Sequence, residues 1–130
     1  MPRAKFAAYV VFALFCWMLS ASPASAQSTT RYYAYCGAGG ANDNIYYSDV
    51  FPVDVKSPNA TPTATDQAAA VKPVQASFLN YVSRKYPAAQ LSSTGCPLFN
   101  TTADAEADKK TVEGQYTDRK FTIIETGWKL

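Results

Sequence analysis

The residues of this chain that could do chemistry are ten carboxylates, a few cysteines, a glycine-rich knot and a crowd of tyrosines. Histidine is absent, which removes the Ser-His-Asp and Cys-His arrangements and the commonest general base. Two carboxylates held a few ångströms apart would suffice for glycoside hydrolysis. Nothing in their spacing between Asp43 and Glu125 singles out a pair, and so small a scaffold leaves little room for a cleft. They read as solvated surface charges. Asp104, Glu106 and Asp108, with Asn100 nearby, fall short of a calcium loop, because Lys109-Lys110 stands where glycine and a distant glutamate are needed. No metal and no cofactor is expected.

The knot is Gly37-Ala38-Gly39-Gly40, between the aromatic runs RYYAYC (31–36) and IYYSDVFPV (45–53). A dinucleotide loop needs Gly-x-Gly-x-x-Gly opening a helix, but its last position here is Asn42 and a second strand-like run follows. A phosphate loop ends in Gly-Lys-Ser/Thr, and no lysine lies between Arg31 and Lys56. The stretch 37–44 therefore reads as the loop of a hairpin, with no site for phosphate.

The tyrosines carry more. Alternation along the first strand puts Tyr32 with Cys36 on one face and Tyr33 with Tyr35 on the other. In the second strand it sets Tyr47, Asp49 and Phe51 against Tyr46 and Val50. Cross-strand packing accounts for many of these rings. One sheet face left open would instead display them to a partner, since tyrosine joins contact area to a hydrogen-bonding tip. Tyr33, Tyr35 and Tyr46 are the candidate binding residues. Trp128 is expected to close the core.

The elements that position these residues begin after a leader. Arg3 and Lys5 precede an apolar run from Phe6 to Leu19, and Ala24-Ser25-Ala26 is a small-x-small cleavage pattern. Residues 1–26 thus read as a secretory signal peptide cut after Ala26, with Cys16 discarded in it. The apolar run is too short for a spanning helix, so no stable membrane insertion is expected once it is removed. Beyond residue 26, ten cations and ten acids remain, a formal charge of zero. A neutral domain has no basic stripe to hold nucleic acid. Cys36 and Cys96 remain as well, and in an oxidising compartment an even number implies a disulfide. Closing a loop of about 61 residues is worth roughly 4 kcal/mol at most by the chain-entropy model. The localisation that follows is periplasmic or secreted.

Residues 27–130 form a single small globular domain in this reading. The strands within 31–36 and 45–53 are followed by a Pro/Thr/Ala-rich loop over 54–65. An apolar face of Val71, Val74, Phe78 and Val82 predicts a helix over 65–86. Pro73 is awkward inside it: either the regular part begins near 72, or the alanine-rich start is a separate turn. Residues 87–100 read as a loop carrying Cys96. A second helix spans 101–116, capped by Thr101 or Thr102, with a thin face of Ala105, Val112, Tyr116 and the stem of Lys109. A strand over 120–128 sets Phe121, Ile123 and Glu125 against Thr122, Ile124 and Thr126. The order β-β-α-α-β predicts an α+β fold: an antiparallel sheet of about three strands, two helices packed on one face, and one disulfide. Its edges invite pairing with a partner or second copy.

Taken together, YYAYC, YYSDVFPV, FLNYVSRKY, GCPLF, ADAEADKK and the ending IIETGW resemble a loose group of small exported bacterial proteins and domains. The resemblance spans nearly all of 31–128. It implies a bacterial, envelope-facing domain with a Cys36–Cys96 bridge, and it supplies no catalytic residue. The expected function is an exported, non-enzymatic binding domain that meets a protein or envelope component through the tyrosine-rich face or a sheet edge. One version is an inhibitor of a secreted enzyme with the 37–44 loop as its tip. The alternative class is a small carboxylate-dependent hydrolase.

Overall fold

The computed structural model describes residues 27–130. The signal peptide expected over 1–26, with Cys16, lies outside them. The chain runs β1 (Ser28–Ala34), β2 (Gly37–Gly39), a short 3-10 turn (Ala41–Asp43), β3 (Asn44–Tyr47), β4 (Phe51–Ser57), α1 (Ala64–Lys85), β5 (Ser93–Gly95), β6 (Leu98–Phe99), α2 (Thr102–Asp118) and β7 (Thr122–Glu125). The fold is α+β, with two helices and the Cys36–Cys96 disulfide. Its strands form two sheets, ordered β4-β1-β6 and β5-β2-β3-β7, where the sequence suggested about three strands in one.

The expected hairpin is present and longer than read. Residues 28–39 run antiparallel to 44–57 through both sheets. Ala34 faces Phe51 and Gly37 faces Tyr47, so three residues on one strand advance against four on the other. That extra residue is a β-bulge. Ser48 fills it, fully buried: the Cys36 N–H donates to Ser48 Oγ at 2.7 Å, and the Ser48 N–H donates back to the Cys36 carbonyl at 2.9 Å. The bulge shifts which face each later side chain takes. Phe51 therefore joins Tyr46, not Tyr47, contrary to the simple alternation along 45–53.

The segment 87–100, expected to be loop throughout, supplies β5 and β6. Both lie antiparallel to the first long strand, and no bulge separates them: Leu98 faces Ala34 and Gly95 faces Gly37. The same register sets Cys96 opposite Cys36, with Cα atoms 4.2 Å apart, so the disulfide staples neighbouring strands where one sheet passes into the other. Period-2 patterning is too short in STG and LF to announce a strand. β7 adds parallel to β3, Ile123 beside Ile45 and Ile124 beside Tyr46.

The helices lie on opposite faces, a correction to the one-sided packing expected. The turn of α1 from Val74 to Phe78 to Val82 packs on Ala34, Cys36, Ala38, Tyr46, Phe51, Val53 and Val55. Val112 and Tyr116 of α2, with Phe121 and Ile123, pack on Tyr35, Ile45 and Tyr47. Both faces of β3 are thus buried, and each fully enclosed Val or Phe of the core contributes about 1.5–3 kcal/mol. Trp128 closes the first core, edge-on to Phe51 at 5.3 Å and tilted against Phe78 at 5.4 Å.

α1 runs unbroken through Pro73. Pro73 and Ala69 are both exposed, so the carbonyl released by the missing N–H sits on the water side. Its start is fixed by a capping box: Thr63 Oγ1 accepts from the Asp66 N–H and Asp66 Oδ2 accepts from the Thr63 N–H. Asp66 also accepts from Ser57, and these hydrogen bonds hold its pKa below the usual carboxylate value. Among the described residues, no helix is long and apolar enough to cross a membrane.

Candidate binding groove

α2 packs against β1, β6 and β7. Beside it, the residues of β2 and β5 that point away from α1 form a floor: Gly39, Ser93 and Gly95, with Gly37 beneath the Tyr47 ring. Beside this floor stand the aromatic rings packed under α2. The result is a groove of about 420 Å³, walled by Tyr35, Tyr47, Tyr116 and Phe121 and edged by Ser92, Thr94 and Asn44. No Asp, Glu, Lys or Arg is among its lining residues.

The local sequence explains the wall. α2 stops in a Schellman motif: the Phe121 N–H donates to the Tyr116 carbonyl at 3.0 Å and the Lys120 N–H donates to the Thr117 carbonyl at 2.9 Å. Lys120 takes the left-handed conformation this requires, φ 66°. The motif brings the Tyr116 and Phe121 rings edge to face at 5.4 Å. The Arg119 guanidinium sits 5.7 and 5.5 Å from their centroids, within cation–π range. Tyr35 stacks on Phe99 at 6.0 Å and donates its hydroxyl to Asp108 Oδ2 at 2.6 Å. Burial first, then that hydrogen bond and charge, raise the Tyr35 pKa; burial does the same for Tyr47. Both stay neutral phenols.

The floor is explained only in part. At Gly37 a Cβ would lie 2.7 Å from Cε1 of Tyr47, so that ring demands glycine. At Gly40 it would lie 2.6 Å from the Ala89 carbonyl oxygen. At Gly95 it would meet nothing within 4 Å, and at Gly39 only ordinary contacts with Ser92 and Ser93. Glycine inside a strand weakens it and often marks close approach by another group. Packing within the chain does not call for it at 39 or 95.

The glycine stretch is therefore an inner strand, not the hairpin loop. The turn itself is carried by Asn42 and Asp43, whose φ of 60° and 56° suit these residue types. It is held down by the Ala41 N–H donating to the Ala89 carbonyl at 2.6 Å. An eight-residue tip over 37–44, imagined for an inhibitor, is not there.

The three tyrosines singled out from sequence are divided by the fold. Tyr35 is 4% exposed and packs beneath α2, whereas Tyr46, also 4% exposed, packs beneath α1 against Tyr86. Tyr33 is half-buried on the open face of β1, opposite Pro52 and Phe99. Only Tyr35 of the three reaches the groove; Tyr47, Tyr116 and Phe121 do the rest, and none of them is singled out by the sequence alone. The free edge of β4 carries exposed Pro52 and Lys56, residues that discourage a further strand.

The fold also assembles a carboxylate pair that spacing did not reveal. Lys109 Nζ lies 2.8 Å from Glu125 Oε2 and 3.7 Å from Glu113 Oε1, tying α2 to β7. Burial, then the hydrogen bond and charge of Glu125, push the Glu113 carboxyl up to about 7. Burial acts the same way on Glu125, but its hydrogen bonds to Glu113 and Lys109 hold it below the usual value. Among the described residues no group of three or more His, Cys, Asp or Glu is placed to hold a metal.

No protein-family model matches this chain, and no curated protein or solved structure matches it either.

Proposed function

We propose that this is an exported, non-enzymatic binding domain of the bacterial envelope that takes a small uncharged ligand in the groove between the β2–β5 floor and the Tyr116–Phe121 wall. The observation that carries this reading is a concave site without a charged lining residue, whose floor keeps glycine at 39 and 95 where packing does not require it. Its volume lies within the range of small-molecule sites. The cleavable leader, the disulfide and the resemblance to exported proteins support the envelope setting.

Gly95→Val tests it. The new side chain enters open space and valine favours strands, so the fold is retained while the groove is filled. Native mass spectrometry after exposure to an envelope extract is expected to show a small molecule retained by the wild type and not by the variant. Equal retention by both proteins would sink the proposal.

The second reading, a carboxylate-dependent hydrolase, is favoured by the pairing of Glu113 with Glu125. Those carboxyls share Lys109, whose Nζ lies 2.8 Å from Glu125 and 3.7 Å from Glu113. A glycosidase pair keeps space between its carboxyls for a nucleophile or water, whereas here a lysine bridges the two, so this pair serves better as a strut between α2 and β7.

A further inference from the structure

Resting on that reading, we infer that the ligand is a neutral saccharide, one sugar ring lying on the glycine floor with its C–H face against Tyr116 and Phe121. The two banks of the groove differ in chemistry. One is ring surface; the other is lined by the polar residues Ser92 and Asn44, with Ser93 on the floor beside them. A purely apolar ligand would strip water from those groups and leave them unpaired. A charged ligand would meet no charged lining residue, and the nearest cation, Arg119, is already engaged on the Tyr116 and Phe121 rings, so its lost hydration would go largely uncompensated. A sugar ring has what both banks ask for: an apolar C–H face and a rim of hydroxyls that donate and accept. Beside Ser93 the floor admits a ring close to the sheet, because neither Gly39 nor Gly95 projects a side chain.

The experiment is an amide chemical-shift titration of the processed protein, disulfide intact, with maltotriose, cellotriose and chitotriose, and with indole as an uncharged aromatic probe. At least one trisaccharide is expected to shift Gly37, Gly39, Gly95 and Tyr116 saturably, with a dissociation constant of about 1 mM or tighter. Gly95→Val, whose Cβ meets nothing within 4 Å, is expected to weaken this at least about tenfold. Tyr116→Leu should also weaken it, by removing the ring face while keeping bulk against Phe121. If indole alone shifts the groove, the saccharide assignment falls and the groove survives as a binding site. If no probe shifts it, or the trisaccharides shift residues elsewhere and Gly95→Val changes nothing, the assignment falls as well. Whether the groove reading falls with it is then decided by the envelope-extract comparison above.

Discussion

Glu113 shows how a single residue reports on its surroundings. Its Oε1 is buried without a hydrogen-bond donor in reach, and its neighbour Glu125 already holds Lys109. Burial first, then the hydrogen bond and charge of Glu125, push its pKa up to about 7, and the proton it then keeps is the one it offers Glu125. The folded protein therefore binds this proton more tightly than the unfolded chain, whose glutamate titrates near 4.5. Stability from this group is fully present below pH 4.5 and is lost as pH rises through 7. Glu113→Gln, a permanent stand-in for the protonated form, is expected to be more stable than wild type at pH 8 by about 1–2 kcal/mol, discounted because part of the side chain meets water. Urea denaturation at pH 5 and pH 8 measures it; an unchanged difference between the two proteins at both values would refute the shared proton. None of this was legible in the sequence. Glu113 and Glu125 are far enough apart in the chain that only the packing of α2 on β7 joins them. Tyr33, Tyr35 and Tyr46 were visible as tyrosines, but which face each took depended on helices whose sides the sequence did not assign.

At the scale of elements, starts and stops follow local chemistry closely. The α2 cap is Thr101, whose Oγ1 accepts from the Asp104 N–H at 3.1 Å, as the sequence allowed. The C-terminal Schellman motif was missed because its left-handed position holds Lys120, where glycine is the usual signal. That residue carries a steric cost, so Lys120→Gly is expected to raise stability by about 0.5–1 kcal/mol, less the extra chain entropy of glycine. A thermal midpoint unchanged or lowered would show that the lysine stem contributes more than its backbone costs. The faces of β7 were legible in its alternation: Phe121 and Ile123 meet α2 while Ile124 packs on the α1 side. Its parallel pairing with β3 was not, since partner choice is long-range. The short strands β5 and β6 were hidden for another reason. Their patterning is brief, and Pro97 interrupts the reading between them.

For the whole molecule, the class was readable and the layering was not. The order of elements and two cysteines expected in an oxidising compartment pointed to an α+β domain with one bridge, and the fold has both. The sequence could not say that the bridge joins adjacent strands at the junction of the sheets. Replacing Cys36 and Cys96 by serine is expected to cost about 2–4 kcal/mol, read as a lowered urea midpoint with an unchanged slope. A midpoint within error of wild type would mean that the two cores hold the strands without it. The bulge at Ser48 has a wider consequence. Along 34–39 the even-numbered side chains serve α1 and the odd-numbered ones serve α2 or the groove; along the partner strand that parity reverses between Tyr47 and Phe51. The chain thus counts in twos, with one deliberate miscount. Deleting a single residue from the first strand would send tyrosines into space shaped for alanine and cysteine, and alanine into space shaped for rings. Losing two neighbours would keep every remaining side chain in its own compartment. Length polymorphism in these strands is therefore constrained by arithmetic before it is constrained by chemistry.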